Sequence, residues 1–380
     1  MDEGICKECG QKNTGYEWCK ECNAKHFQQN FKNWTSGNDD IDNVIQGTQL
    51  SAIYNHGVLE WIPYNKFYDI EYIAKGGFGK VFKAKWIDGY IWSWDNKIKN
   101  WERMDFNRYV ALKSLYNSEN VTSEFINEIT MHRKTVYTFE YSNVVKVYGI
   151  TQDPETKDYM MVMEYVENGS LRNYLDKNYD KLDWSIKLKN LWQISAGLSN
   201  IHINELIHRD LHIGNILISS PYIMITDMGL CKPANCKVSE NTRNNIYGVV
   251  PYVAPEILRG QNYTKVGMPK VRCLDANPLN QPEIDEIRDV LRKWWCELDD
   301  QIELQKQIKE AEEINNKSPS NSIPSTSLSY ETHSEAVYTS SLLNFNNLPE
   351  PKNSDDYYDK QNDDIIIGNF QDLYKLIFLN

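Results

Sequence analysis

Ile207-His208-Arg209-Asp210-Leu211-His212-Ile213-Gly214-Asn215, with Asp227-Met228-Gly229 beginning twelve residues after that Asn, is the stretch that decides how this chain is read. An Asp and an Asn on one short loop, then an Asp just before a Gly, can gather acceptors around a hydroxyl and a metal-bound phosphate. Phosphoryl transfer needs that arrangement.

Upstream, Ile73-Ala74-Lys75-Gly76-Gly77-Phe78-Gly79-Lys80-Val81 is a glycine-rich turn between two strand-like runs. Glycine lets backbone N–H groups approach phosphates with no Cβ in the way. Val110-Ala111-Leu112-Lys113 follows on a strand. A Lys inside an apolar strand is costly unless its ammonium finds an anion. Nucleotide phosphates and a carboxylate are the natural partners. Glu128, on the next helix, is the candidate carboxylate, with Glu124 nearby.

The whole chain supports a globular reading. It has 380 residues, 41% apolar and 25% charged, enough for a two-lobed core with additions. A net charge of −12 and a pI near 5.2 argue against a general nucleic-acid or anionic-membrane surface. No run approaches the ~18 apolar residues of a membrane span. Met1-Asp2-Glu3-Gly4 lacks the basic and apolar regions of a signal peptide. A cytoplasmic location is therefore expected, with the eight cysteines as reduced thiols or metal ligands.

Strands are expected over 67–73, 81–86, 109–115, 144–150 and 159–165, with a polar, Trp-rich insert from Ile87 to Arg108. Glu124 to Lys134 has helical spacing, and 171–206 is mainly helical. Glu283 to Ile314 reads as one long amphipathic helix whose charged second half projects from the body. Residues 27–66 read as a polar, Asn-rich connector. Residues 315–362 are rich in Ser, Asn and Pro and read as disordered, and 365–378 reads as a short docking helix.

The glycine-rich loop, Val110-Ala111-Leu112-Lys113, Glu128, His208-Arg209-Asp210, Asp227-Met228-Gly229 and Ala254-Pro255-Glu256 occur in that order. Together they resemble the eukaryotic protein kinase signature set. Met163 to Leu171 and Pro251 to Glu256 look like the tyrosine-kinase-like group, whose members usually modify Ser or Thr. The resemblance covers about residues 67–298. It implies an α+β, bilobal fold, with a β-rich first lobe and a helical second lobe.

The resemblance also implies roles. Gly76, Gly77, Phe78 and Gly79 would cap the ATP phosphates, and Ile73, Val81 and Ala111 would line the nucleotide site. Lys113 would hold phosphate and pair with Glu128. Met163 would back the pocket, and Glu164 and Val166 would offer backbone hydrogen bonds to adenine. Asp210 would orient and deprotonate the attacking hydroxyl, and Asn215 and Asp227 would hold Mg²⁺. Arg209 would grip a phosphate on segment 230–250, where Ser239 and Thr242 are acceptors. The partner would be a protein substrate bearing Ser or Thr, with no nucleic acid or membrane involved.

Several positions depart from the pattern. Ala74 replaces the first loop glycine, and Met228 replaces a Phe. His212 stands where a Lys is usual, and Val249 where a Thr usually helps fix Asp210. Only 25 positions separate Glu256 from Gln281. The family pattern places roughly 45 more there, including two helices of the larger lobe. Losing them would remove more burial than a domain's net stability, so poor folding of that lobe and little activity are expected. The alternative function is a catalytically impaired pseudokinase that binds ATP or scaffolds. An in-frame exon missing near 264–270 would instead restore the enzyme reading.

Ahead of all this, Cys6-x2-Cys9 and Cys19-x2-Cys22 form two thiolate knuckles suited to tetrahedral, structural Zn²⁺. His26 is a spare, not a required ligand. The domain plan is thus a zinc knuckle (1–26), a connector (27–66), a kinase domain (67–298, incomplete between 265 and 273), a helical extension (299–314) and a mostly disordered tail (315–380).

Overall fold

The computed structural model describes residues 3–75, 79–115, 121–135, 143–178, 182–234, 246–259, 263, 265, 282–298, 302, 305, 306, 308, 309 and 340–343. Gly76, Gly77, Phe78, Ser239, Thr242, Gln281, the stretch where helices are missing and segment 365–378 lie outside the described residues. The chain forms two compact units, Met1–Val166 and Glu167–Asn380.

The first unit is sheet-rich. In chain order it holds helices α1 (Lys20–Asn30) and α2 (Asp39–Ser51), and strands β1 (Glu60–Trp61), β2 (Phe67–Lys75), β3 (Gly79–Trp86), β4 (Tyr90–Asp95), β5 (Asn100–Met104) and β6 (Arg108–Leu115). Helix α3 (Ser123–Thr135) and strands β7 (Val147–Gln152) and β8 (Tyr159–Glu164) complete it. Six strands form one sheet in the order β1-β7-β8-β6-β3-β2. All its pairings are antiparallel except β1 with β7. Phe67, Ala84, Trp86, Val110, Leu112, Met160 and Val162 bury one core beneath it.

The connector is a folded element. The boundary at residue 26 falls inside α1. Asn38 caps α2 by accepting from the N–H groups of Asp40 and Ile41. Asp39, Asp40 and Asp42 complement the positive end of the helix, while Ile41 and Ile45 are buried. The polar residues read as a linker are thus partly a cap and an outer helix face.

The Trp-rich insert is a hairpin, β4 paired with β5. Phe27 of α1 stacks on Trp101 at 4.1 Å and His26 stacks on Trp94 at 3.8 Å. Trp18, Phe27, Ala52, Val58 and Ile91 are buried together. Arg103 of β5 ion-pairs with Glu60 of β1, whose carboxyl burial raises its pKa. The cysteine-bearing segment and the hairpin therefore share one aromatic core.

The second unit holds α4 (Leu171–Asn178), α5 (Trp184–Ile203), β9 (Leu206–Ile207), β10 (Ile216–Ser219), β11 (Tyr222–Ile225) and β12 (Lys232–Pro233). Strand β13 (Ile246–Gly248), α6 (Pro255–Leu258), α7 (Ile284–Cys296) and β14 (Ser341–Leu343) follow. Asp183 caps α5 through the Ile186 N–H. β10 pairs with β11 and β9 with β12, and both pairs flank the loop 208–215.

Helix α7 lies antiparallel along α5. Trp295 stacks on Trp192 at 5.0 Å, and ten residues earlier Asp285 accepts from the Ser199 hydroxyl. The expected single helix from Glu283 to Ile314 is corrected here. A Glu283–Glu286 capping box opens α7, but the helix stops at Cys296 and Glu297 leaves helical geometry. The apolar stripe facing α5 ends with Trp295, so the charged residues beyond gain nothing by continuing it. Beyond that break, residues 302, 305, 306, 308 and 309 are again helical. A second correction concerns the tail: Ser341–Leu343 is a strand, paired with β13. No helix among the described residues is long and apolar enough to cross a membrane.

Candidate active site

Lys113 sits on β6, opposite Val81 of β3 and Met161 of β8. Its Nζ lies 2.7 Å from Glu128 Oε1, and both side chains are buried. His132, one helical turn on, brings Nε2 to 4.0 Å from the same oxygen. Glu124 is exposed, which settles the choice between the two glutamates. A buried ammonium and carboxylate each repay desolvation only through close pairing. The hairpin β2–β3 carries the ends of the glycine-rich loop. Val81 is half-buried and Ile73 is 44% exposed. Ala111 is half-buried, while Met163 and Val166 are buried. The Glu164 N–H donates to the Lys146 carbonyl at 2.9 Å, so only the Glu164 carbonyl could serve a ligand from that backbone.

In the second unit, the loop 208–215 is held by hydrogen bonds that converge on Asp210. The Asp210 N–H donates to His208 Nδ1 at 3.2 Å, so Nε2 carries the proton it gives to the Thr226 carbonyl at 3.0 Å. Asn215 Nδ2 donates to the Asp210 carbonyl at 3.0 Å and to Oδ2 at 3.3 Å. That fixes the amide so that Asn215 Oδ1 points away from Asp210, as a cation ligand must. The Thr226 N–H donates to the Asn215 carbonyl at 2.9 Å, tying this loop to Asp227. Arg209 and Asp227 both hold left-handed backbone, at φ 68° and 63°. Such strain persists where surrounding bonds over-determine it, often at functional sites. Met228 is fully buried. The Arg209 guanidinium lies 4.8 Å over the Tyr263 ring, whose hydroxyl burial pushes up to about 12.

His212 differs in charge as well as in kind from the Lys that the resemblance places there. Its Nδ1 accepts from the Gly214 N–H at 3.1 Å, leaving the proton on Nε2, 3.8 Å from Asp210 Oδ2. Burial, then the neighbouring His208, pushes it down to about 4. The ring is neutral at pH 7. His56, in the first unit, is likewise pushed down to about 4, by burial and then by Lys146.

An unfolded histidine titrates near 6.5, so below that pH the unfolded chain takes up protons that these folded rings refuse. Stability is therefore expected to fall as pH drops from about 6.5 to about 4, by ~3 kcal/mol for each ring at the acid end. Urea midpoints from pH 7.5 to 4 check this. His56→Gln should flatten the first unit's share of the slope, and an unchanged slope would refute the assignment.

The cysteines form a second candidate site. The Sγ atoms of Cys6, Cys9, Cys19 and Cys22 all lie within 4.8 Å of one another. Cys6 and Cys22 are 3.8 Å apart and Cys9 and Cys19 3.7 Å. A tetrahedron with ~2.3 Å metal–sulfur bonds has edges of ~3.8 Å, so the donor set fits a tetrahedral cation. His26 is engaged elsewhere, with Glu8 Oε2 at 2.8 Å.

These features coincide with a family comparison. Residues 69–266 match the family described as protein tyrosine and serine/threonine kinase. The chain belongs to that family. Its sheet-rich first unit and the helices of its second fit the bilobal fold of a kinase domain. Among its relatives is the cysteine-rich receptor-like protein kinase 6 of Oryza sativa subsp. japonica, 30% identical over 65% of this chain and 32% of that protein. The interferon-induced, double-stranded RNA-activated protein kinase of Mus musculus is 31% identical over 52% of this chain and 37% of that protein. The probable serine/threonine-protein kinase CST of Arabidopsis thaliana is 32% identical over 51% and 44% respectively. The chain thus spans less than half the length of these relatives.

Proposed function

We propose that this chain transfers the γ-phosphoryl group of ATP to Ser or Thr hydroxyls of proteins, in a Mg²⁺-dependent reaction of intracellular signalling. The buried Lys113–Glu128 pair at 2.7 Å carries the reading, because a protein kinase needs that pair formed to position the nucleotide phosphates. Lys113 binds α- and β-phosphates, under a loop built from Gly76, Gly77, Phe78 and Gly79. Ile73, Val81 and Ala111 pack on adenine, and the backbone of Glu164 and Val166 orients it. Asn215 and Asp227 hold Mg²⁺, which supplies charge neutralisation on the phosphates. Asp210 orients the acceptor hydroxyl and takes its proton. Zn²⁺ at Cys6, Cys9, Cys19 and Cys22 is structural, since four thiolates leave no open position for chemistry.

The printed descriptions of several relatives, including two probable serine/threonine-protein kinases, support the acceptor class. Incubating the chain with γ-labelled ATP, Mg²⁺ and dephosphorylated casein tests the reading. Label on casein Ser or Thr is expected, and none with Asp227→Asn. Label absent from both, or confined to Tyr, would overturn it.

A second reading, a pseudokinase that binds ATP without efficient turnover, is favoured by the short span between Glu256 and Gln281 and by the neutral His212. A neutral imidazole stabilises developing phosphate charge less than an ammonium does. His212→Lys is therefore expected to raise the rate of the chemical step about tenfold, measured under single-turnover conditions. An unchanged rate would remove His212 as the cause of any slowness.

A further inference from the structure

Residues 340–343 are the only described part of the last 70 residues of the chain, and three of them form β14. It pairs antiparallel with β13, setting Leu343 opposite Ile246, Leu342 opposite Tyr247 and Ser341 opposite Gly248. Leu343 is buried with Ile246, Ala254 and Ile257, while Leu342 is 53% exposed. The ladder thus has a buried face carrying Ser341 and Leu343, and an open face carrying Leu342.

Gly248 shows which way the buried face points. A Cβ built on Gly248 would lie 4.0 Å from Asp210 Oδ1 and 2.6 Å from Val253 Cγ2. With φ at 154° as well, this position requires glycine. Directly opposed residues of an antiparallel pair send their side chains to the same face, with Cβ atoms ~5 Å apart. Ser341 therefore projects to the side on which the Asp210 carboxylate lies.

We propose that residues 340–343 are an internal peptide laid along β13, with Ser341 presented to Asp210 as a phosphoryl acceptor in cis. This rests on the kinase reading above. In the step, Ser341 Oγ forms a bond to the γ-phosphorus of a Mg²⁺-bound nucleoside triphosphate. The bond from that phosphorus to its bridging oxygen breaks, and the nucleoside diphosphate departs with the electron pair. The Oγ proton passes to the Asp210 carboxylate, and no atom changes oxidation state. Added as an extra strand, the segment also covers the edge along which another extended peptide would pair.

Two measurements on the full chain test this. The first needs no nucleotide. Peptide-level hydrogen exchange over 246–248 is expected to accelerate at least ~10-fold when Ser341→Pro places a proline inside the short strand, and similarly with Leu343→Asn, which spares the backbone. Unchanged exchange in both variants would overturn the strand arrangement. The second maps phosphate after incubation with ATP and Mg²⁺. Phosphate on Ser341, lost in Ser341→Ala and appearing at a fractional rate independent of protein concentration, is expected. Chain that labels casein but leaves Ser341 unmodified, or modifies it at a rate proportional to concentration, would overturn acceptance in cis. Chain that labels nothing would fail the kinase reading and the acceptor role with it, while exchange would still decide the strand.

Discussion

Asp210→Asn is expected to slow phosphoryl transfer by about 10²–10⁴-fold, the range a positioned general base contributes. Nucleotide affinity should stay within about twofold, because the group acts on the acceptor hydroxyl rather than on ATP. The substitution is nearly isosteric. The amide oxygen it introduces could still accept from Asn215 Nδ2, which lies 3.3 Å from Asp210 Oδ2, and the backbone bonds to His208 and Asn215 do not involve the side chain. What is lost is the carboxylate's charge and with it the capacity to take a proton. Single-turnover transfer of labelled phosphate, with nucleotide binding measured separately, checks both halves. A loss below about tenfold would move the base elsewhere. A parallel loss of nucleotide binding would mean that Asp210 acts by holding the fold.

Removing the metal from the four-cysteine site should have the largest effect on stability. Structural zinc contributes ~10–16 kcal/mol of apparent binding free energy in small zinc-held units, as large as the margin of a whole domain. Apart from Trp18 and its neighbours in the aromatic core, the four cysteines are the segment's main buried cluster. Burial pushes the Cys19 and Cys22 thiols up, so without a cation they are neutral groups packed close together. The damage should spread, because Trp18 is 1% exposed and stacks at 5.9 Å on Trp101 of the hairpin. Chelation is expected to red-shift tryptophan emission and to speed exchange in β4 and β5 as well as in residues 3–26. Metal analysis should return one zinc per chain, and less than a tenth of that in Cys22→Ser. Purified protein without metal, or with emission unchanged by chelator, would exclude a structural ion.

How far the site was legible depended on the distance over which each decision is made. Lys113 could be paired with Glu128 because strand alternation and helical spacing put each on an inward face, and both signals are local. Glu124 remained a competitor until burial separated them. The His212 substitution was plain in the text, but its neutrality came from packing around the ring, which no neighbour in sequence announces. β1 went unseen because two residues carry no periodicity, and only pairing with β7 makes them a strand. The connector misled for a related reason: a helix cap and a polar outer face have the composition of a linker.

By itself the sequence determined the family, the order of the motifs and the identities of the residues that would do the chemistry. Each of those is written in a few consecutive residues whose backbone demands are local. Only the tertiary structure decided that the cysteine-bearing segment shares a core with the Trp-rich hairpin, that α7 covers α5, and that Ser341–Leu343 joins β13. These depend on which distant surfaces bury one another. An aromatic ring or a strand edge is satisfied by any partner of the right shape, and its own sequence does not name which one.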